Sequence, residues 1–204
     1  MHRRSHARGA RQVEARLRPR IASPYEAAEP LVRKHLSLIE WPETAGLIHE
    51  LRVARERGYL RRGELEAICY WKSPRAIHHI RSNSSGAIRA ATRAALATRS
   101  ERARLEALTA LSGVSVPMAS SVLTLLDPKR YGVIDIRVWE LLYELGAVTK
   151  NPAAVGFSFN NWHEFLMIIR HFAKKLECKA RDIERTLFMA HKAYRKGRLY
   201  RGRG

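Results

Sequence analysis

Two short stretches hold the side chains best suited to chemistry. Asp135 is a lone carboxylate in an apolar run, flanked by Val133, Ile134, Ile136 and Val138. An acid there is poorly solvated, and a poorly solvated charge is expensive without a partner or a task. Upstream, Gly113-Val114-Ser115-Val116 makes a tight turn between two amphipathic stretches. Such a turn points backbone N–H groups outward as a seat for a phosphate. A phosphate seat close to a costly acid points to chemistry on a nucleic acid. Asp135 is therefore the catalytic candidate. Gly113, Val114, Ser115 and Val116, with Lys129, Arg130 and Arg137, are the DNA-binding candidates. Asp135 could also simply cap the helix that begins at 136, a role Asp fills well. The two roles can coexist.

A second group lies at Trp71-Lys72-Ser73-Pro74-Arg75. Trp71 could stack on a base, and Lys72 or Arg75 could hold a phosphate. With Ser73 they form a second candidate binding group; a core Trp beside two solvated cations is the alternative. His78 and His79 follow, but no acid or Cys lies at a spacing that would complete a metal site. Solvation or capping accounts for them. Arg89 and Arg93 are one turn apart and face either DNA or water. Asn160, Asn161 and His163 open a helix, and capping explains them.

The elements that must position these residues read as helices almost throughout. Ser23-Pro24-Tyr25-Glu26 is a helix start with a Ser cap, Pro at the first position and Glu completing a capping box. Its apolar face runs Tyr25, Ala28, Leu31, Val32, His35, Leu36 and Ile39, at a 3.6-residue period, until Trp41-Pro42. Further helices are expected at about 44–57, 62–72, 74–81 and 85–98, and Ser100 caps the first hairpin helix. A short helix at 136–145 ends at Gly146. Two long helices then bury Trp162, Phe165, Leu166, Ile169, Phe172 and Leu176, and Ile183, Leu187, Ala190 and Tyr194. No strand alternation or repeat is visible. The expected class is all-α.

The hairpin Leu111-Ser112-Gly113-Val114-Ser115-Val116-Pro117-Met118-Ala119 and the later Ile134-Asp135-Ile136-Arg137-Val138 resemble the helix-hairpin-helix DNA glycosylases. That superfamily includes endonuclease III, the adenine-mismatch glycosylase and the 3-methyladenine glycosylases. The similarity spans about residues 24–196 and is specific in the middle third. Lyase members carry a lysine four residues after the first hairpin glycine. Pro117 holds that position here, and Asp135 lies 18 residues beyond it, the family's Lys-to-Asp spacing. Ser115 replaces the usual second hairpin glycine.

The resemblance implies a two-lobed helical fold, with residues 42–132 in one lobe and 23–41 plus 133–196 in the other. Residues 1–22 are expected to form a disordered basic arm and 197–204 a basic tail. Trp71, Lys72, Ser73 and Arg75 fall near where relatives carry residues that fill the gap left by the extruded base, which makes them base-pocket or gap-filling candidates. The resemblance also implies a monomeric enzyme of base excision repair acting on double-stranded DNA that contains a damaged or modified base. A monovalent cation at the hairpin backbone near Gly113 and Ser115 belongs to the same pattern. Lacking the hairpin lysine, the chain is expected to hydrolyse the N-glycosidic bond rather than cut the strand. The alternatives are a non-catalytic hairpin DNA-binding protein, or a glycosylase/lyase with a relocated lysine such as Lys72. Relatives that carry an iron–sulfur cluster hold it with four closely spaced cysteines near the C-terminus. Only Cys178 lies in that region, Cys69 being the other cysteine. No cofactor is expected.

Charge agrees with a nucleic-acid partner. Of the formal +19, residues 1–20 contribute +6 and 195–204 contribute +5, leaving +8 on residues 21–194. The body is basic by itself, as a phosphate-binding surface requires. The N-terminal stretch resembles a transit peptide in composition but lacks amphipathic spacing, and no apolar run is long enough to span a membrane. A reducing, cytoplasmic, nucleoid-associated location is expected. On this reading, log affinity for duplex DNA falls linearly with log salt, by about 0.9 per neutralised phosphate. Deleting residues 1–20 flattens that slope in a fluorescence-anisotropy titration, and a salt-independent affinity contradicts the reading.

Overall fold

Local sequence punctuation sets most helix boundaries. The computed structural model describes residues 24–194. The Ser23 cap, the 1–22 arm and the 197–204 tail therefore lie outside the described residues. The elements are α1 (Pro24–His35), α2 (Pro42–Glu50), α3 (Arg52–Arg57), α4 (Arg62–Lys72), a 3-10 turn (Pro74–Ala76), α5 (Ile77–Ser82), α6 (Ser85–Ala97), α7 (Glu101–Thr109), α8 (Val116–Leu126), α9 (Ile136–Glu144), α10 (Phe159–Lys175) and α11 (Ala180–Tyr194). There is no strand among the described residues, so the chain is all-α. None of these helices is long and apolar enough to cross a membrane.

Side-chain caps open several helices, satisfying N–H groups that have no intrahelical partner. The Ser84 hydroxyl accepts from Ala87 N at 3.0 Å and that of Ser100 from Ala103 N at 3.3 Å. Ser158 and Asn161 form a reciprocal capping box at α10.

The sequence carries the first helix to about residue 40, but α1 ends at His35. Leu38 and Ile39 are 61% and 82% exposed. Tertiary contacts override the apolar period. The 36–41 linker is drawn across α11: Arg185 donates to Ser37 O at 2.6 Å, and Arg181 and Arg185 clamp Glu40 at 2.8 and 3.0 Å. Burial pushes the Glu40 carboxyl up, yet the Arg181 hydrogen bond and charge hold it below the ordinary range. The stretch expected as one helix over 44–57 is divided at Leu51 into α2 and α3.

Around α11 gather α1, α9 and α10; α4 packs on α5 and α8, and α6 packs on α7. One apolar core runs through both groups, with Trp139, Trp162, Phe165 and Phe172 fully buried. Between α8 and α9 the chain crosses from one group to the other over residues 127–135, and that crossing is fixed from every side. Ala180 N and Arg181 N donate to Lys129 O and Pro128 O at 3.2 and 3.1 Å. The Tyr131 hydroxyl donates to Glu101, 3.0 Å away, and its ring stacks over Trp162 at an interplanar angle of 5°. Glu101 also takes Arg170 at 2.8 Å; burial raises its carboxyl, but Arg170 brings it below the usual carboxylate value. Ile134 N donates to the Ser120 hydroxyl at 3.2 Å.

Gly132 lets this crossing lie flat on α11. A Cβ there would meet Glu184 Cβ at 2.7 Å and Ile169 Cδ1 at 2.8 Å. Gly132→Ala therefore overpacks the seam and is expected to destabilise the fold by about 1–3 kcal/mol. Thermal denaturation followed by circular dichroism should show a melting temperature lower by roughly 2–10 °C. An unchanged melting temperature rules out the close approach.

Candidate active site

Ser73 precedes Pro74, which disfavours helical backbone at Ser73. Its backbone is extended, at φ −166° and ψ 99°, and α4 stops at Lys72. Lys72 thereby projects from the last turn of α4 while the crossing delivers Asp135 to the start of α9. Lys72 Nζ lies 3.6 Å from Asp135 Oδ2, both side chains 20% exposed. The other carboxylate oxygen, Oδ1, accepts from Val138 N at 3.0 Å. One oxygen of Asp135 caps the helix and the other faces an ammonium.

An open cleft of about 360 Å³ surrounds this pair. It is lined by Lys72, Ser73, Arg75, Gly113, Ser115, Asp135 and Arg137, with Pro117, Met118 and Phe157 among the remaining wall residues. Three stretches of sequence singled out separately thus converge on one site. Gly113 has φ +78°, the left-handed conformation its turn requires. Ser115 does not need a glycine: its φ of −74° and ψ of 170° are extended backbone at the start of α8. The replacement of the second hairpin glycine therefore strains nothing. The amides of Gly113 and Ser115 make no backbone hydrogen bond among the described residues, which leaves both available to an anion.

Other candidates lie elsewhere. Val114 is 5% exposed and belongs to the core, leaving its backbone alone for ligand contact, and Val116 packs partly against the same core. Arg130 pairs with Glu101 at 3.4 Å and sits over the Tyr131 ring. Lys129 lines a separate cleft of about 410 Å³ with His49, Arg52 and Lys179. Neither Lys129 nor Arg130 lines the Asp135 cleft. Trp71 donates its indole N–H to Thr44 Oγ1 at 3.0 Å and lines a different, adjoining pocket. Arg93 lies over the Tyr59 ring. His78 and His79 have ring centroids 3.8 Å apart, and no cluster of three or more His, Cys, Asp or Glu that could hold a metal occurs among the described residues. Cys69 is buried, and burial pushes its thiol up.

Two positioning residues escaped sequence reading. The Asn83 side chain both accepts from Ser112 N and donates to Ser112 O, each at 2.9 Å, and so clamps the hairpin to α5. In sequence it reads only as a break between helices. Ser120 links Pro117 O, at 2.8 Å, to Ile134 N, tying the hairpin helix to the approach to Asp135.

The adjoining pocket, about 260 Å³, shares Lys72 and Asp135 and is otherwise lined by Trp41, Trp71, Val133, Arg181, Glu184 and Phe188. Arg181 and Glu184 are paired and buried. Burial raises the Glu184 carboxyl above its ordinary value, Arg181 opposes that, and the charge of Asp135 adds to it. Arg181, despite its burial, is held firmly protonated by Glu184 and Glu40.

Comparison with protein-family models, curated proteins and solved structures finds no match to this chain. Its chemistry is read from the site itself.

The site makes the hairpin directly testable. At Gly113 a Cβ would lie 2.7 Å from His79 Cβ and 3.1 Å from Ile80 N, and the positive φ disfavours any branched residue. Gly113→Val is expected to weaken duplex binding about tenfold or more, the loss of one or two hydrogen bonds to a charged group, with helix content retained. Unchanged affinity shows that the hairpin is not the grip.

Proposed function

We propose that this protein is a DNA N-glycosylase of the helix-hairpin-helix type, excising a damaged or modified base from double-stranded DNA. The observation that carries the reading is the Asp135 carboxylate. Its Oδ1 is spent on the helix cap, while Oδ2 faces a cleft bordered by the hairpin and by cationic side chains. The division of helices into a group around α11 and a group around α4 and α8, joined by the 127–135 crossing, supports the two-lobed architecture that the resemblance implies. A non-catalytic hairpin protein needs the cap alone and gives no reason for an ammonium at the second oxygen.

A base in a duplex is reached only by swinging it out of the stack. Breaking its N-glycosidic bond leaves an oxocarbenium-like sugar, as in glycoside hydrolysis. Oδ2 of Asp135 stabilises that developing positive charge and orients the attacking water, whose proton it takes up. The departing base keeps the electron pair of the broken bond and is protonated. The amides at Gly113 and Ser115, with Arg75 and Arg137, hold the flanking phosphates.

A second reading rests on the 3.6 Å separation of Lys72 and Asp135. Lys72 reaches the carboxylate from α4, although Pro117 occupies the family's lysine position. Having passed a proton to Asp135, it could attack C1′ itself, forming a C–N bond as the base departs with its bonding pair; breaking of the C1′–O4′ bond, its electron pair going to O4′ with a proton, then gives the Schiff base that begins strand cleavage.

One set of assays separates these readings. Asp135→Asn keeps the cap, since Asn caps about as well as Asp, but removes the charge. Base release from lesion-bearing duplexes should drop about 10²–10³-fold while binding persists; full activity in this variant reduces Asp135 to a cap. Hydrolysis yields abasic strands that break only after alkali, with nothing trapped by borohydride. Trapping that vanishes in Lys72→Ala assigns the lyase reading instead.

A further inference from the structure

Lys129, grouped by sequence with the hairpin, instead lines a cleft of about 410 Å³ where three distant stretches of chain meet. α2 and α3 pack on α8 and bring His49, Arg52 and Arg55. The crossing that follows α8 brings Lys129, and the residue before α11 brings Lys179. Ala180 N and Arg181 N lock the joint by donating to the carbonyls of Lys129 and Pro128. All five of these side chains belong to exposed residues, over a floor that includes buried Leu126 and half-buried Ile48.

The acids of the cleft do not balance its cations. Glu40 and Asp182 also line it, but their oxygens are spent inside the fold. Glu40 Oε2 takes Arg181 and Arg185 at 2.8 and 3.0 Å, and Oε1 accepts from Trp41 N at 3.0 Å. Asp182 Oδ1 takes Arg185 at 3.2 Å, and Oδ2 accepts from Lys179 N at 3.0 Å. At the rim Arg55 meets Asp127 at 3.4 Å and Arg52 meets Glu56 at 3.6 Å, both as surface pairs. The ammonium groups of Lys129 and Lys179 make no ion pair among the described residues. Like charges gathered in a concave site attract an anion. No Trp, Tyr or Phe lines the cleft, so a base finds nothing to stack on there, and the site suits phosphate.

The cleft adjoins the Asp135 site. Lys72 and Asp135 line both the hairpin cleft and the smaller pocket, and Arg181 lines both the smaller pocket and this cleft. Lys129 precedes Asp135 by six residues, a stretch that spans at most about 22 Å. Duplex DNA rises about 3.4 Å per base pair, so Lys129 lies within about six base pairs of a base held at Asp135.

We propose that the Lys129–Lys179 cleft is a second phosphate seat, which holds the backbone of the same duplex within about six base pairs of the base at Asp135. The protein then grips DNA at two separate points, the hairpin and this cleft. This rests on the DNA-binding part of the proposed function and not on its chemistry.

The full chain is titrated over a range of salt with duplexes that carry one stable abasic-site analogue, and anisotropy gives the affinities. Lys129→Gln with Lys179→Gln should make the slope of log affinity against log salt shallower by about 1.8, the release of two phosphates. Both residues are exposed, so packing is left alone. Lys34→Gln with Lys174→Gln removes the same charge from exposed residues outside all three concavities and should leave the slope nearly unchanged. Uncharged methylphosphonate linkages are then placed one at a time along the duplex. Those within about six base pairs on one side of the analogue should weaken the unaltered chain but not the Lys129/Lys179 variant. Equal slope changes in the two double variants overturn the proposal, as does a methylphosphonate pattern that is the same for the unaltered chain and the cleft variant. If Gly113→Val weakens binding while the cleft variant binds as the unaltered chain does, the DNA reading stands and the second seat falls. If the unaltered chain binds no duplex, both fall together.

Discussion

A single carboxylate has to be presented where two groups of helices meet, and the 127–135 crossing is built to present it. Its backbone is fixed by the start of α11, its tyrosine is held by Glu101 and Trp162, and its amide at Ile134 is tied to the hairpin helix through Ser120. Gly132 removes the one Cβ that would lift it off α11. With so many restraints, Asp135 has little freedom left. Its direction is set by the fold, which is the preorganisation that the proposed catalysis calls for.

The charges around the crossing form a graded series. Arg181, Arg185 and Glu40 bind the 36–41 linker to α11 inside the protein. Arg181 continues to Glu184 on the floor of the smaller pocket, and Glu184 faces Asp135 electrostatically. Asp135 then meets Lys72 at the cleft. A nearby negative charge disfavours the ionisation of a buried acid, and at Glu184 the charge of Asp135 adds to burial in raising the carboxyl. Asp135 itself is partly exposed, with Lys72 3.6 Å away. The linker therefore contributes to the site directly through Trp41, which lines the smaller pocket, and indirectly through Glu40, which holds the arginines.

Local signals made part of this legible in sequence. The hairpin glycine, the acid in an apolar run and the serine caps each declare themselves within a few residues, and the structure puts Gly113 at positive φ and Asp135 at a helix start. What depended on distant partners was hidden. Leu36 and Ile39 continue a helical period, and only Arg181 and Arg185, some 140 residues away in the chain, explain why the helix stops at His35. Arg181 and Glu184, three residues apart on α11, carry no local sign of burial, yet both are buried. The placement of Lys72 beside Asp135 could not be inferred from either residue's neighbours. Lys129 and Arg130, grouped by sequence with Asp135, are carried to other surfaces by the turn that opens the crossing.

The central claim is that this site breaks the bond between a base and its sugar. It is tested most directly by mass spectrometry of the small molecules set free when the full chain meets a mixture of duplexes, each with one lesion. The account predicts a free nucleobase in solution, with the sugar and both flanking phosphates left on the strand. Release of a nucleoside or nucleotide instead, or of nothing from any duplex that the protein binds, contradicts it.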